Sequence, residues 1–392
     1  MPPVSVRYPC PDLSTAQQAL ATVAQGSESS EAAGIASSAK YFDTFDWRLY
    51  QAGLALLSQA GRAGSYLTLT DLDGTPKLRL RHHEEPGFVW DLPAGPLHDA
   101  IAPLVEMRRL LPMVALSSSS QQLNVLDGRR KTVARLRLDE ATVASPQQSV
   151  DPTALPPTLT ALPIRGYDND FWKLRSILEE NLGLQPASEP ELLAAARQVG
   201  LSPGSYSSKL NLELDPEQPA EEALRAIYRR LLEVIRANQQ GVQLDLDSEF
   251  LHDFRVAVRR TRSAMTQVKG VLAQNPIDRF KKEFAWLGQI TGPSRDLHVY
   301  QLTMPDYQDS LPEPVRPDLE PLRQFLDDHQ VLEHREMVQL LDSDRYDSLL
   351  AAWQRFLDYP PDEDESPTDA RAYAFETLSV VAQRDFTRWS IV

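Results

Sequence analysis

Cysteine, long apolar runs and a basic leader are scarce or missing in this chain. Cys10 is the one cysteine among 392 residues, so an internal disulfide and a cysteine metal cluster are excluded, and thiol chemistry is not expected of a single residue near the terminus. No apolar run approaches the roughly 18 residues that a membrane helix needs. The segment MPPVSVRYPC lacks the basic and apolar layout of a secretory signal. These absences predict a cytoplasmic protein with no membrane partner.

The charge of the whole chain argues against a generally basic binder of polyanions. Forty Lys and Arg residues stand against 55 Asp and Glu residues, which gives a formal net charge of −15. Hydrophobic residues make up 42% of the 392 residues, enough for two or three domains that each have an apolar core. Any polyanion site must therefore be a local feature.

The first half of the chain has the pattern of an antiparallel sheet. Short β-rich runs follow one another over 40–145: LALLSQ, SYLTLTD, KLRLRHH, GFVWDL, PMVALSS, QQLNVLD and KTVARLRLDE. Asp73-Gly74 and Asp127-Gly128 separate such runs and are typical of tight hairpin turns. The stretch 145–163 is rich in Ser, Gln, Pro and Thr, which predicts a surface connection. Residues 1–145 are therefore predicted to form an antiparallel β domain.

The second half changes to a helical pattern. Ser188 and Glu191 have the spacing of a capping box ahead of a short helix. Residues 219–240 predict an amphipathic helix that Gly241 ends. The next helix is expected to start near Asp247 or Ser248, with an acidic or hydroxyl cap, and to run to Lys269, and others are expected near 276–291, 318–341, 345–358 and 367–389. We interpret 146–215 as a linker with connecting helices and 216–392 as an all-α antiparallel bundle, so the fold class is α+β multidomain.

One helix of the second half carries a basic stripe. In LHDFRVAVRRTRSAMTQVK, residues 251–269, a rotation of about 100° per residue places four ionisable side chains within about 80° of arc beside an apolar stripe. They are His252, Arg255, Arg259 and Arg262, whereas Arg260 points elsewhere. Like charges at this spacing repel each other. The stripe therefore indicates an anionic partner, although a solvated or ion-paired helix face explains the same spacing.

Basic residues are concentrated in one part of the chain. Between Phe250 and Tyr300, nine Lys or Arg residues face four Asp or Glu residues, a local net charge of +5 that leaves −20 for the rest. Such segregation focuses a positive potential on one surface while the acidic remainder suppresses indiscriminate binding. No zinc finger or other recognition motif is found, so sequence-specific binding of nucleic acid is not expected.

Two segments together resemble the CHAD family: LHDFRVAVRRTRSAM and WLGQITGPSRDL. The resemblance covers about 216–392 and implies a helical assembly of two similar halves whose basic surface binds inorganic polyphosphate. The binding residues that it implies are His252, Arg255, Arg259, Arg262 and Arg295, with Lys281 and Lys282 as additions. His298 stands where the family usually has Asp. The family's second His and basic helix is not found before Val392, so half a CHAD domain is expected, whose exposed apolar surface would lead to self-association or instability.

The first domain resembles the CYTH proteins, the triphosphate tunnel family, through YFDTFDWRLYQAGLALL at 41–57. The resemblance implies an antiparallel tunnel in which Glu residues hold Mg²⁺ or Mn²⁺ and basic residues clamp a triphosphate. VSVRY lacks the carboxylates of the family's ExExK strand, so we expect a degenerate tunnel with no catalytic residue and no metal site. The basic residues that would contact phosphate are Arg79, Arg81, Arg135 and Arg137. Glu84, Glu85 and Asp139 stay open as substitute metal ligands.

The sequence predicts a non-enzymatic protein that binds inorganic polyphosphate, or another phosphate-rich polyanion, through the basic stripe. No cofactor is then needed, and association with cytoplasmic polyphosphate granules would follow. Two alternatives stay open. The CYTH-like tunnel would hydrolyse triphosphate or polyphosphate with Mg²⁺ or Mn²⁺, or the helical bundle would bind an acidic protein partner through the same stripe.

Overall fold

The computed structural model describes residues 3–61, 64–82, 84–147 and 151–359. Two compact units meet in sequence between Tyr206 and Ser207. The first unit is built on an antiparallel sheet and the second is helical, which confirms the predicted fold class. Within the described ranges, no helix combines the length and the apolar character needed to cross a membrane.

In the described residues of the first unit, nine strands form one antiparallel sheet. They are β1 (Val6–Pro9), β2 (Ser29–Asp43), β3 (Leu54–Gly61), β4 (Gly64–Asp71), β5 (Pro76–Arg81), β6 (Leu111–Leu126), β7 (Thr132–Ala144), β8 (Thr153–Ala154) and β9 (Thr158–Pro163). Their order is β1-β9-β7-β6-β2-β3-β4-β5, and β8 pairs with β7. No pairing between β1 and β5 is found among the described residues, so the sheet is not closed by hydrogen bonds there.

Over the ranges that the structure describes, five α-helices accompany the sheet: α1 (Leu13–Gly26), α2 (Arg48–Gln51), α3 (Pro96–Val105), α4 (Asp168–Ser176) and α5 (Glu191–Gln198). One apolar cluster joins β1, β6, β7 and β9 to α1 and α4, and another joins the strands β2 to β5 to α2 and α3. Leu159 of β9 and Phe171 of α4 are fully buried in the first cluster. The segment 146–215, interpreted above as a linker, therefore supplies part of this core.

Two strand predictions differ from the structure. PMVALSS and QQLNVLD are parts of the single strand β6. GFVWDL is not a strand, because Val89–Asp91 form a 3₁₀ turn in which the Phe88 backbone N–H donates to Asp91 Oδ2 at 2.6 Å. Local hydrogen bonding to an acidic side chain here outweighs the β propensity of the aromatic residues.

Asp43 organises the YFDTFDW segment. Its buried carboxylate accepts hydrogen bonds from the backbone N–H groups of Thr44 at 2.7 Å, Leu49 at 2.9 Å and Tyr50 at 2.9 Å. Burial raises the pKa of Asp43 to about 7, although these three donors favour the ionised form. All three hydrogen bonds of the Asp43 side chain join it to the backbone at and just before α2. This part of the CYTH resemblance is therefore explained by a structural turn.

The described second unit contains six α-helices: α6 (Ala220–Gln243), α7 (Ser248–Gln267), α8 (Gln274–Ile290), α9 (Gly292–Ser310), α10 (Glu320–Leu341) and α11 (Asp344–Asp358). The predicted helix at 367–389 lies outside the described residues. Asp247 caps α7 by accepting from the backbone N–H groups of Glu249 and Phe250. Trp353 of α11 is fully buried against the rings of Phe280 and Phe284, which anchors α8 in the core.

Gly241 does not end α6, contrary to the sequence prediction. The helix continues to Gln243, and the chain turns at Asp245, which has a φ of 47°. A Cβ atom at Gly241 would lie less than 3.0 Å from three carbon atoms of the Phe250 ring, a residue of α7 that is buried. Gly241 is therefore a point of close contact between α6 and α7, and a side chain there would collide with the Phe250 ring.

Candidate anion-binding site

Basic residues of α7 and α8 meet around a depression in the surface. The depression has a volume of about 330 Å³ and is lined by Arg259, Arg262, Ser263, Thr266, Gln267 and Lys281. Arg259 and Arg262 are exposed and Lys281 is half-buried. Within the described part of the chain, no carboxylate oxygen lies within 4.0 Å of these three cations. Three positive charges thus share one concave surface, with no ion-pair partner among residues 3–359 that the structure describes.

Arg255 belongs to the same stripe but is directed inward. Its Nη1 donates to the carbonyl oxygen of Gly288 and to Oγ1 of Thr291, both at 2.9 Å. Burial, together with the positive charges of Arg295 and Arg259, lowers the pKa of Arg255, although the guanidinium stays protonated. Arg255 therefore connects α7 to the end of α8, and at least part of its donor capacity is used within the protein.

The small residues of WLGQITGPSRDL provide the contact surface for these arginines. Thr291 is fully buried, and its hydroxyl donates to Leu287 O at 2.9 Å, which leaves its oxygen oriented to accept from Arg255. A Cβ atom on Gly288 would lie 3.4 Å from Nη1 of Arg262, and one on Gly292 would lie 3.8 Å from Nη1 of Arg255. The motif thus lets α8 pass close beneath the guanidinium groups and holds them in place.

Arg295 and His252 pair with each other near the start of α7. Arg295 Nη1 donates to Ser248 O at 3.0 Å, and Arg295 Nη2 lies 3.2 Å from His252 Nδ1. A guanidinium can only donate, so His252 Nδ1 is the acceptor in this contact. Both residues are only half-buried. They form a second basic group whose recorded contacts tie α9 to α7.

The remaining basic candidates and His298 are separated from the depression. Lys282 is exposed and, one residue after Lys281, lies about 100° further around α8. Arg260 Nη1 donates to Ser208 O at 3.1 Å, so this side chain points elsewhere, as its helical position predicts. His298 is buried, with Nε2 at 3.3 Å from Asp245 Oδ1 and 2.6 Å from Gln330 Nε2. It lies in the interior and is not among the residues that line the depression.

Three polar residues of the depression were absent from the predicted set. Ser263, Thr266 and Gln267 lie one turn or two turns after Arg259 on the same side of α7. The Thr266 hydroxyl donates to Arg262 O at 2.9 Å. The spacing i, i+3, i+4 and i+7 that selects one helix face would have found Ser263 and Thr266 if uncharged residues had been considered.

The four arginines of the first unit that were predicted to contact phosphate lie on one face of the sheet. Arg79 and Arg81 alternate along β5 with leucines that pack on one apolar cluster, and Arg135 and Arg137 alternate along β7 with leucines of the other. Arg79 stacks on the Tyr66 ring at 3.9 Å. Arg137 Nε donates to Asp139 Oδ2 at 2.8 Å. Two of the four thus have partners within the unit, and the two strands are distant in the sheet order.

Helix α5 lies against this unit through β6, and the predicted capping box is not formed. Pro190 precedes the helix and makes no side-chain cap, whereas Glu191 Oε2 accepts from Tyr41 Oη at 2.9 Å. Arg7 lies 3.7 Å from the same carboxylate. Burial, and then the charge of Glu191, raise the pKa of Tyr41 far above its ordinary value. The Glu191 side chain thus contacts residues of the sheet instead of capping its own helix.

The first unit does not fit a tunnel metal site in its described residues. No group of three or more His, Cys, Asp or Glu side chains there is arranged to hold a metal ion, and β1 has the sequence VRYP. Of the substitute ligands, Glu85 pairs with Lys40, and Asp139 accepts from Ser120 Oγ and Arg137. Glu84 is exposed. We therefore derive no chemistry that passes through a bound metal.

Comparison with known proteins gives one family match and several structural matches. The CHAD domain model matches residues 226–388. The CHAD domain from the plant Ricinus communis is 24% identical to this chain, with a TM-score of 0.38. The alignment covers 47% of this chain and 57% of the Ricinus chain. A candidate adenylate cyclase from Bacillus halodurans is 13% identical with a TM-score of 0.33, over 48% of this chain and 94% of that one.

A protein from Pyrococcus horikoshii OT3 is 12% identical with a TM-score of 0.29, over 50% of this chain and 98% of that one. No curated protein is similar enough to this chain to count as a match. The family match includes α7, α8 and the motif between α8 and α9, the elements that build the basic depression. Residues 226–388 of this chain are a CHAD domain.

Proposed function

We propose that the CHAD domain binds inorganic polyphosphate, or another phosphate-rich polyanion, and that the protein has no catalytic role in this binding. The observation that carries the proposal is the depression on α7 and α8, in which Arg259, Arg262 and Lys281 converge with no carboxylate partner in the described part of the chain. A set of uncompensated cations is stabilised by an anion that supplies the missing charge. The acidic remainder of the chain favours binding at this surface over binding elsewhere.

The residue types suit phosphate oxygens. Arg259 and Arg262 can each offer a planar pair of N–H donors to a phosphate, and Lys281 adds a point charge. Arg255, Arg295 and His252 are proposed to position this surface, since their recorded hydrogen bonds hold α7, α8 and α9 together. Lys282 would contribute only long-range attraction from its position around α8.

Titration with long-chain polyphosphate at several salt concentrations tests the proposal. Each phosphate contact releases counterions, so the logarithm of the binding constant should fall with the logarithm of salt concentration by about 0.7 per contact. The three cations predict a slope of about −2. Polyglutamate serves as a control polyanion whose carboxylates offer lower charge density. Absence of polyphosphate binding at low salt, or binding that salt does not weaken, would contradict the proposal.

The two alternatives remain predictions. A phosphate-release assay with Mg²⁺ or Mn²⁺ would test the hydrolase, for which the described residues provide no metal-ligand group. Competition between polyphosphate and an acidic protein would test the helical interaction module, because both would occupy the same cations. Location in the cytoplasm and association with polyphosphate granules belong to the proposal and depend on binding of the polymer.

A further inference from the structure

We propose that the depression binds the end of a phosphate chain, a terminal di- or triphosphate group, in preference to the middle of a long polymer. The inference rests on the proposed function and specifies which part of the ligand is bound. It adds Ser263 and Gln267 to the site. Both line the depression, and no hydrogen bond or ion pair is recorded for either side chain in the described residues.

The site is short because only part of the basic stripe is free. Arg259, Arg262 and Lys281 surround one depression of about 330 Å³. The next cation along the stripe, Arg255, donates Nη1 to Gly288 O and Thr291 Oγ1. Beyond it, Arg295 and His252 contact each other. The available cations therefore span only about one or two turns of α7. A polymer lying along the helix would pass beyond them after that distance.

The charge of a chain end suits this compact site. An internal phosphate of a polyphosphate carries one negative charge, whereas a terminal phosphate has a second ionisable oxygen and carries about −1.5 to −2 charges near pH 7, by analogy with a phosphate monoester. A terminal group therefore presents the highest charge density on the chain. Three converging cations match it better than they match a single internal unit.

The polar residues of the depression also favour a terminal phosphate over an internal one. A terminal phosphate presents three non-bridging oxygens instead of two, so it accepts more hydrogen bonds. The Ser263 hydroxyl and the Gln267 amide can donate to such oxygens beside Arg259 and Arg262. The −20 charge outside Phe250–Tyr300 would also repel the rest of a long chain once it leaves the depression.

Two ligands share this chemistry: the end of inorganic polyphosphate and the triphosphate of a nucleotide. We would titrate the full chain with inorganic triphosphate, ATP and a long-chain polyphosphate of defined length, and express each dissociation constant per chain. End binding predicts that triphosphate and the long chain agree within about threefold, since the long chain offers only two ends. If ATP and inorganic triphosphate have the same dissociation constant, the site accepts any terminal triphosphate group. If ATP binds more weakly, the site prefers the end of an inorganic chain.

Substitution of Ser263 by aspartate tests the position of the site. Ser263→Asp should weaken triphosphate binding by more than about tenfold, because it places a carboxylate beside the bound anion. Ser348→Asp, at an exposed serine of α11, makes the same change in net charge and should have little effect. Both serines are exposed, so loss of folding is not expected, and circular dichroism of each variant verifies this.

Failure of this inference differs from failure of the proposed function. Long-chain polyphosphate that binds while triphosphate does not, or affinity per chain that rises in proportion to length, would overturn end binding and leave polyphosphate binding intact. Equal effects of Ser263→Asp and Ser348→Asp on triphosphate binding would overturn the assignment of the depression. A wild-type chain that binds neither ligand would refute the proposed function itself.

Discussion

Replacement of both Arg259 and Arg262 by alanine is expected to weaken the binding of long-chain polyphosphate by at least about a hundredfold at low salt. A hydrogen bond to a charged group contributes about 1.5–3 kcal/mol, and each 1.4 kcal/mol corresponds to about a tenfold change in affinity. Both side chains are exposed at the depression and lack a carboxylate partner in the described residues. Their loss should remove phosphate contacts without leaving a buried charge unpaired.

A matched control separates these contacts from the effect of net charge. Arg260→Ala combined with Arg323→Ala also removes two positive charges, from a side chain of α7 that points elsewhere and from an exposed residue of α10. The control should lower affinity only a few-fold. The depression variant should also reduce the salt slope by about 1.4, that is about 0.7 for each lost contact. Equal losses in the two double variants would show that the depression is not the binding surface.

Substitution of Gly241 by alanine is expected to destabilise the helical unit by about 2 kcal/mol or more. The new Cβ would lie less than 3.0 Å from the ring of Phe250, which is buried and cannot move aside without disturbing α7. Alanine favours a helix over glycine by about 1 kcal/mol, so intrinsic propensity predicts the opposite sign. The net effect therefore measures how strongly the α6–α7 contact depends on the missing side chain.

Urea denaturation followed by circular dichroism measures this effect. Gly288→Ala is a suitable control, since Gly288 also lies inside a helix and its nearest neighbour, Nη1 of Arg262 at 3.4 Å, is the end of a flexible side chain. The control should be as stable as the wild type or slightly more stable. A Gly241→Ala variant as stable as Gly288→Ala would contradict the close contact between Gly241 of α6 and Phe250 of α7.

The α7 helix illustrates what could be predicted from sequence. Its period of 3.6 residues and the acidic cap at Asp247 are local properties, so the basic stripe and the separate direction of Arg260 followed from spacing alone. Spacing did not predict that Arg259 and Arg262 of the stripe are exposed while Arg255 is directed inward. Arg255 turns inward because Gly288 and Thr291, on another helix, accept its hydrogen bonds. Such a partner depends on tertiary packing, which periodicity within one helix does not contain.

Two wrong predictions have the same physical origin. A glycine after a helical run fits both a helix end and a close helix contact, and only the position of Phe250 decides between them for Gly241. Glu191 has the spacing of a capping box, but Tyr41, 150 positions earlier in the chain, donates to its carboxylate. In both cases the local signal was ambiguous, and a residue distant in sequence determined the outcome.

Lysine acetylation of the full chain, with and without polyphosphate, shows whether the depression on α7 and α8 is where the polymer binds. Lys281 lines the depression, whereas Lys77 and Lys173 lie on exposed parts of the first unit. Bound polyphosphate should lower the acetylation rate of Lys281 by at least about tenfold, the factor expected if its amine is held in a charge-assisted contact. Lys77 and Lys173 should react at unchanged rates. Polyphosphate that binds while Lys281 remains fully reactive would contradict the account.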